Sequence, residues 1–403
     1  VQPGDLVYVR AGAYGNDPIK ITKSGTAAAP IRFHGYRNTP GDNPTIPGFD
    51  HTSALDPSVM PLIQGTDRAV GVGVQFDGQS YLEIRNFQIS QFDSLVRGIN
   101  RKNLSFINLI ATVAGNITDK KGSAVYFGKG ITAPNGMNIR VADSVVVNAA
   151  AEGIVLTGDC HHITNNRVYS NDNSTLSAPT DYYITLRGNR HLIENNAVYR
   201  VGDLAHGGHG IGVKGCAKWN VIRRNAVYHI SGEAMFARHR GVQYNRYEDN
   251  LVDGAAVYGS GTSGVGAALT TRDGASANLM QRNQVRNVTQ GILFQDTIED
   301  EGPDPCIDAE IVDTTVKLGG VANIYRNNTV EIGNDTSNAW AIDWNGNTQR
   351  GGRSFLNLLV GLTVTGTTPS KKNTYLFGVE SVNYKNRLMD STIGGLKTYA
   401  WTR

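Results

Sequence analysis

Cysteine is nearly absent: only Cys160, Cys216 and Cys306 occur, with no CxxC pair. That supply gives no disulfide framework and no cysteine-based metal site, and the three read as small buried apolar residues. No run of 18 apolar residues occurs, so no segment can span a bilayer as a helix. Charged residues make up 18% and the net charge is +3, too weak a field to imply a nucleic-acid partner. Any basic site must therefore be local. Aromatics (8%) and prolines (13, against 47 glycines) are also sparse, and no long amphipathic helical pattern appears, which suits short strands joined by tight turns. A secretory leader is missing as well. Val1-Gln-Pro-Gly-Asp-Leu-Val-Tyr-Val-Arg10 reads as the middle of a strand-turn motif, so the chain reads as trimmed, with any export signal upstream.

What is present is a repeat. An asparagine is followed two places on by valine at Asn166/Val168, Asn196/Val198, Asn225/Val227, Asn250/Val252, Asn283/Val285 and Asn328/Val330. By subtraction the steps are 30, 29, 25, 33 and 45 residues. A short strand set recurring at that period, with insertions lengthening single repeats, predicts a solenoid. Asparagine suits the turn because it tolerates the left-handed conformation, and stacked amides can bond to one another. The valine then opens a strand facing a narrow core. The expected fold is all-β, a right-handed single-stranded parallel β-helix, forming one domain over 1–403. Its coils are less regular over 1–110, regular with the asparagine ladder over about 139–346, and closing over 350–403. Turn-rich insertions are expected at 36–60, 112–137 and 170–181, the last two walling one end of a groove.

Each middle coil carries a second strand, such as Tyr182–Gly188, Gly210–Gly215, Glu233–Gly241 and Gly266–Gly274. Period-two reading points Leu156, Leu186, Val213 and Ala237 inward and Thr157, Arg187, Lys214 and Arg238 outward. Three cations in one outward column repel each other, and an anionic ligand is the economical explanation. The densest constellation is His206-Gly-Gly-His209-Gly-Ile-Gly-Val-Lys214, followed by Arg238-His239-Arg240, with Tyr183 and Arg187 a coil earlier and Arg272-Asp273 a coil later. Breaking a uronic-acid chain by β-elimination needs neutralisation of the carboxylate, a base for the adjacent proton and an acid for the leaving oxygen. A lysine among cations is pushed toward its neutral, basic form, and an arginine can fork onto a carboxylate or hold developing charge. The same residues on a solvated face would be decoration only. His206 and His209 lack the spacing and carboxylate partners of a metal site. The acidic stretch Asp296–Asp308 reads as a solvated loop, or else Asp273 and Asp296 on adjacent coils form the carboxyl pair of a glycosidase.

With those residues in view, the chain resembles the β-helical polysaccharide lyases, most closely the chondroitinase B and alginate lyase group, polysaccharide lyase family 6. Val213-Lys214-Gly215 is similar to that family's lysine-base strand, and Ala237-Arg238-His239-Arg240-Gly241 to its arginine strand one coil on. The resemblance implies Lys214 as base and Arg238 as acid or charge stabiliser. The family's glutamates that hold calcium just before the lysine are replaced by Gly207 and His209 here. Neutralisation would then fall to His209, Arg187 or Arg240, so no cofactor is expected and calcium is not supported by the motif. The family's Asn-Gly-Gly-Glu segment, the Asp-Pro-His-Asp motif of alginate epimerases and the aspartate triad of polygalacturonases are not found.

The expectation is an extracellular or periplasmic, monomeric lyase for an acidic polysaccharide, alginate first. Lys214 and Arg238 are its catalytic residues, and Tyr183, Arg187, His206, His209, His239, Arg240 and Arg272 contact the substrate. The alternatives are a glycoside hydrolase using Asp273 and Asp296, and a phage or cell-surface tail-spike-like adhesin that binds glycans in the same groove.

Overall fold

The computed structural model describes residues 1–99, 101–115, 129–171, 180–202, 208–255, 266–295, 318–332, 339–344, 353–366, 374–379 and 382–394. Among these residues there is no helix, and short strands pair in parallel with their counterparts one coil on. The fold is a right-handed parallel β-helix. The described residues group into two compact units. The first comprises Val1–Thr185, His191–Ala197 and His206–Gly208; the second Leu186–Arg190, Val198–Ala205 and His209–Arg403.

Within the first unit, Ile84, Phe106 and Val141 stand in register on consecutive coils and are buried. The 36–60 insertion folds back onto these coils: Arg167 Nη2 donates to the Phe49 carbonyl at 2.5 Å, and Gln88 Nε2 donates to the Met60 carbonyl at 2.8 Å. The expected 112–137 insertion is shorter than its sequence suggested, because Lys102–Ala114 and Lys129–Ala142 are strands. Residues 116–128 and 172–179 lie outside the described residues, and with them most of the proposed groove wall.

Within the second unit the repeated valines form one core column, Val227, Val252, Val285, Val330 and Val364, all buried. A second column runs through Ile222, Tyr247, Met280, Tyr325 and Leu359. Period-two geometry explains both: alternate residues face the core, and the parallel register places equals above equals.

The asparagines do ladder. Asn250 Nδ2 donates to Asn283 Oδ1 at 2.9 Å, and Asn283 Nδ2 to Asn328 Oδ1 at 3.0 Å. They do not, however, occupy the left-handed position themselves. That conformation falls one residue earlier, at Asn165, Asn195, Arg224, Asp249, Arg282 and Asn327, with φ between 53° and 58°. The preceding residue turns the chain, which leaves the asparagine side chain directed into the stack.

A second ladder runs alongside, through Asn220, Asn245, Asn278, Asn323, Asn357 and Asn386. In the first unit the corresponding motif is two stacked histidine rings, His161 and His191, 4.6 Å apart and 3° from parallel. The His161 backbone N–H donates to His191 Nδ1 at 3.1 Å, as the Asn220 backbone N–H donates to Asn245 Oδ1. Burial pushes the His161 imidazole down to about 4, so it is neutral at pH 7.

The cysteines depart from expectation. Cys160 is free and exposed, because it is the left-handed turn residue before His161, and Cys216 is disulfide-bonded. Cys306 lies outside the described residues.

Candidate active site

Three consecutive strands of the second unit build the site: His209–Lys218, Glu233–Arg238 and Ala267–Arg272. Val213 pairs with Ala237, and Ala237 with Thr271. All three are fully buried, so the residues that follow them project to the outer face. Lys214 and Arg238 come next in register, and Arg238 pairs with Arg272, each step being about 4.8 Å. The expected outward column therefore exists for these cations.

A left-handed residue follows each cation: Gly215 (φ 62°), inside its strand, and His239 (φ 89°) and Asp273 (φ 54°), just past the ends of theirs. Glycine is the natural occupant of such a position, and a histidine and an aspartate there carry backbone strain, which concentrates at functional sites. The same geometry breaks the strand's alternation, so Asp273 turns back toward the cations instead of away from them.

The cations are held by carboxylates that sequence reading did not assign to them. Arg238 Nε donates to Asp273 Oδ2 at 2.8 Å, and Arg272 Nε to the same oxygen at 3.2 Å. Arg272 Nη1 donates to Glu233 Oε1, and Glu233 Oε2 pairs with His209 Nδ1. A continuous polar chain results: His209, Glu233, Arg272, Asp273, Arg238. Burial alone would push the Glu233 carboxyl up, but His209 and Arg272 outweigh it and hold the group well below the usual carboxylate range. Lys214, Arg238 and Arg272 are only 5%, 4% and 5% exposed, so each needs compensation. Counting Lys214, Arg238 and Arg272 against Glu233 and Asp273 leaves +1. The column is thus largely neutralised within the protein, and repulsion alone does not call for a ligand.

The remaining expectations divide. His239 is half-buried, and its Nδ1 accepts from the Gly215 backbone N–H at 3.2 Å, so one ring nitrogen ties its turn to the end of the lysine strand. Arg240 is half-buried, and its Cγ lies where a Cβ on Gly274 would sit. Arg187 is exposed. Tyr183, expected to contact the substrate, is fully buried. His206 lies outside the described residues, as do Asp296 and the acidic stretch to Asp308.

Sequence reading also missed Phe236. Its ring covers Gly212, where a Cβ would strike it, and meets the His209 ring edge-on at 5.7 Å. An apolar plate thereby backs the imidazole. Glu233 left no legible signal, since strand parity gives it the direction of inward Met235. Asp273 stood next to Arg272 in sequence, but only its left-handed φ brings it to Arg238.

Among the described residues no three His, Cys, Asp or Glu side chains gather as a metal-ligand set. Glu233 and Asp273 already give oxygens to guanidinium and imidazole partners, so this cluster does not fit the calcium that the resemblance raised. Asp273 Oδ2, shared by two arginines, likewise suits a positioning carboxylate better than a hydrolase acid.

Residues 152–337 match the sequence family described as the right handed beta helix region. No curated protein sequence matches the chain. Among solved structures it is similar to the alginate lyase AlyF-OU02 in complex with G6, at 14% identity and a TM-score of 0.65, over 99% of this chain and 81% of that one. It is also similar to a mannuronic acid specific polysaccharide family 6 lyase from human gut microbiota, at 14% identity and a TM-score of 0.58, over 98% and 77%. The catalytic domain of a GH87 alpha-1,3-glucanase superposes as well, at 11% identity and a TM-score of 0.55, over 94% and 63%. At these identities the likeness shows the fold: the parallel β-helix of the family 6 polysaccharide lyases, which other carbohydrate-acting proteins share.

Proposed function

We propose that this chain is a secreted, monomeric polysaccharide lyase that cleaves a uronic-acid polymer, alginate first, by β-elimination. The observation that carries the reading is the register of Lys214 beside Arg238, with Arg238 fixed through Nε by Asp273. Lys214 is the base. It takes the proton from the carbon beside the substrate carboxylate, and the released electron pair forms a carbon–carbon double bond. The neighbouring carbon–oxygen bond breaks, and the leaving oxygen takes up a proton. Arg238, anchored through Nε by Asp273, stabilises the charge developing on the carboxylate or the leaving oxygen. His209, ordered by Glu233 and Phe236, contacts the substrate, and Arg187 and Arg240 supply further positive charge. No step passes through a metal.

The test is turnover on alginate, polymannuronate, polyguluronate, pectate and dermatan sulfate, with and without chelator, followed by the ultraviolet absorbance of the new double bond. Wild type should give a rise on at least one polymer that chelator leaves intact. Lys214→Ala should lose roughly 10²–10⁴-fold while staying folded. Depolymerisation without new absorbance would instead indicate hydrolysis, and binding without turnover an adhesin.

A further inference from the structure

The first unit carries a second polar pocket, on strands that contribute nothing to the Lys214 cluster. It has a volume of about 510 Å³ and its lining includes Lys20, Gln75, Asp93 and Arg97 together with Val70 and Val72. Lys20 pairs with Gln75, and Gln75 with Arg97. Their strand neighbours Ile21, Val74, Phe76 and Val96 are buried, so the three polar side chains share the outer face. Two strand spacings separate Lys20 from Arg97, about 10 Å, with Gln75 between them. Gln75 is fixed by donating Nε2 to Asp77 Oδ2 at 2.6 Å.

Arg97 is the telling residue. Its Nε is buried and makes no hydrogen bond, and among the described residues Arg97 forms no ion pair. Nearly every buried guanidinium donor finds a partner, so one without asks for a ligand. Val70, which also lines the pocket, is 63% exposed, a large apolar side chain left open there. Lys20 and Arg97 against Asp93 leave a net charge of +1.

We propose that this pocket binds a uronate residue of an acidic polysaccharide, with the carboxylate between Arg97 and Lys20, the apolar ring face on Val70, and hydroxyl groups donating to Asp93. The mixed lining selects this class. A bare phosphate would gain nothing from the valines and would meet the Asp93 carboxylate at closer charge cost, whereas a sugar has both an apolar face and hydroxyls. The choice of ligand rests on the acidic-polymer reading above; the pocket itself stands on its own geometry.

The experiment uses the full chain with mannuronate, guluronate and galacturonate hexasaccharides and their carboxyl-reduced counterparts. Binding is read at the methyl resonances of Val70 and Val72, which report on this pocket alone. At least one hexauronate should shift them saturably, its carboxyl-reduced counterpart should bind at least about tenfold more weakly, and Arg97→Gln and Lys20→Gln should each weaken the uronate about tenfold, one lost charge-assisted contact. Thermal melts establish that the variants are folded. Equal loss of acidic and carboxyl-reduced ligands in Arg97→Gln would overturn the proposal, because Arg97 would then act only on structure. Silent valine methyls in a protein that still depolymerises an acidic polymer would sink this pocket alone. Shifted valine methyls in a protein that cleaves none of the polymers would sustain the pocket and sink the lyase reading.

Discussion

Replacing Asn250 with alanine should open the second unit locally. The side chain is 1% exposed and makes four bonds. Its Oδ1 accepts from the Asn225 backbone N–H at 2.9 Å and from Asn225 Nδ2 at 3.1 Å. Its Nδ2 donates to the Ile222 carbonyl and to Asn283 Oδ1, both at 2.9 Å. After substitution Asn225 Nδ2 keeps the Arg223 carbonyl and Asn283 Oδ1 keeps the Asn250 backbone N–H. The Asn225 N–H loses the acceptor that held it. That stranded donor costs about 1–3 kcal/mol, and each of the three other bonds about 0.5–1.5 kcal/mol, so a loss of roughly 2.5–7.5 kcal/mol is expected before relaxation. The same change at Asn386, half-exposed at the far end of the other ladder, removes acceptance from the Asn357 backbone N–H and Nδ2 and donation to the Ser354 carbonyl. Water can replace those partners, so about 1 kcal/mol is expected there. Coils open locally, and the readout is hydrogen exchange at the amides of Asn225 and Asn357 in each variant. Costs below 1 kcal/mol at Asn250, or equal costs at both sites, would refute the reasoning that buried amide stacking holds the coils in register.

Two further outcomes test the site and the first unit. His161 is neutral and buried in the folded state, whereas the unfolded chain takes up its proton near the ordinary value of 6.5. Its contribution is therefore fully present above about pH 6.5 and is lost as pH falls toward 4, by up to about 3 kcal/mol. Urea titrations at pH 7 and 4.5 should show this loss in wild type and less of it in His161→Asn, which installs the side chain used in the other ladder; identical pH dependence in the two proteins would exclude His161 as the cause. Asp273→Asn keeps the shape but removes the charge that Arg238 and Arg272 share, and should lower kcat by about 10–100-fold with KM little changed and an altered pH profile, Asp273→Glu recovering part of the loss. Wild-type kcat in Asp273→Asn would show that Arg238 needs no anchor.

The coil architecture was legible because its signal is local. Valines two residues past the asparagines lie in one buried column, as a period-two strand after a fixed turn requires. The second ladder was hidden because no constant residue follows it: Asn220 is followed by Val-Ile, Asn245 by Arg-Tyr and Asn278 by Leu-Met, while His161 and His191 fill the motif in the first unit. The left-handed positions are equally unmarked. Trp219, Tyr244 and Leu356 occupy them, bulky residues that propensity places elsewhere, kept there because the coils above and below fix the turn.

The sequence by itself determined the β-helix, the valine core column and the outward placement of Lys214 and Arg238, because each follows from alternation along one strand and from repetition of one turn. Only the tertiary structure decided what those cations meet. Glu233 reaches Arg272 across 39 residues, and Asp273 reaches Arg238 across 35. Insertions of unequal length separate the coils, so the spacing along the chain carries no register between them. The backbone pairing that supplies that register, together with the left-handed φ that turns Asp273 back, exists only once the coils are stacked.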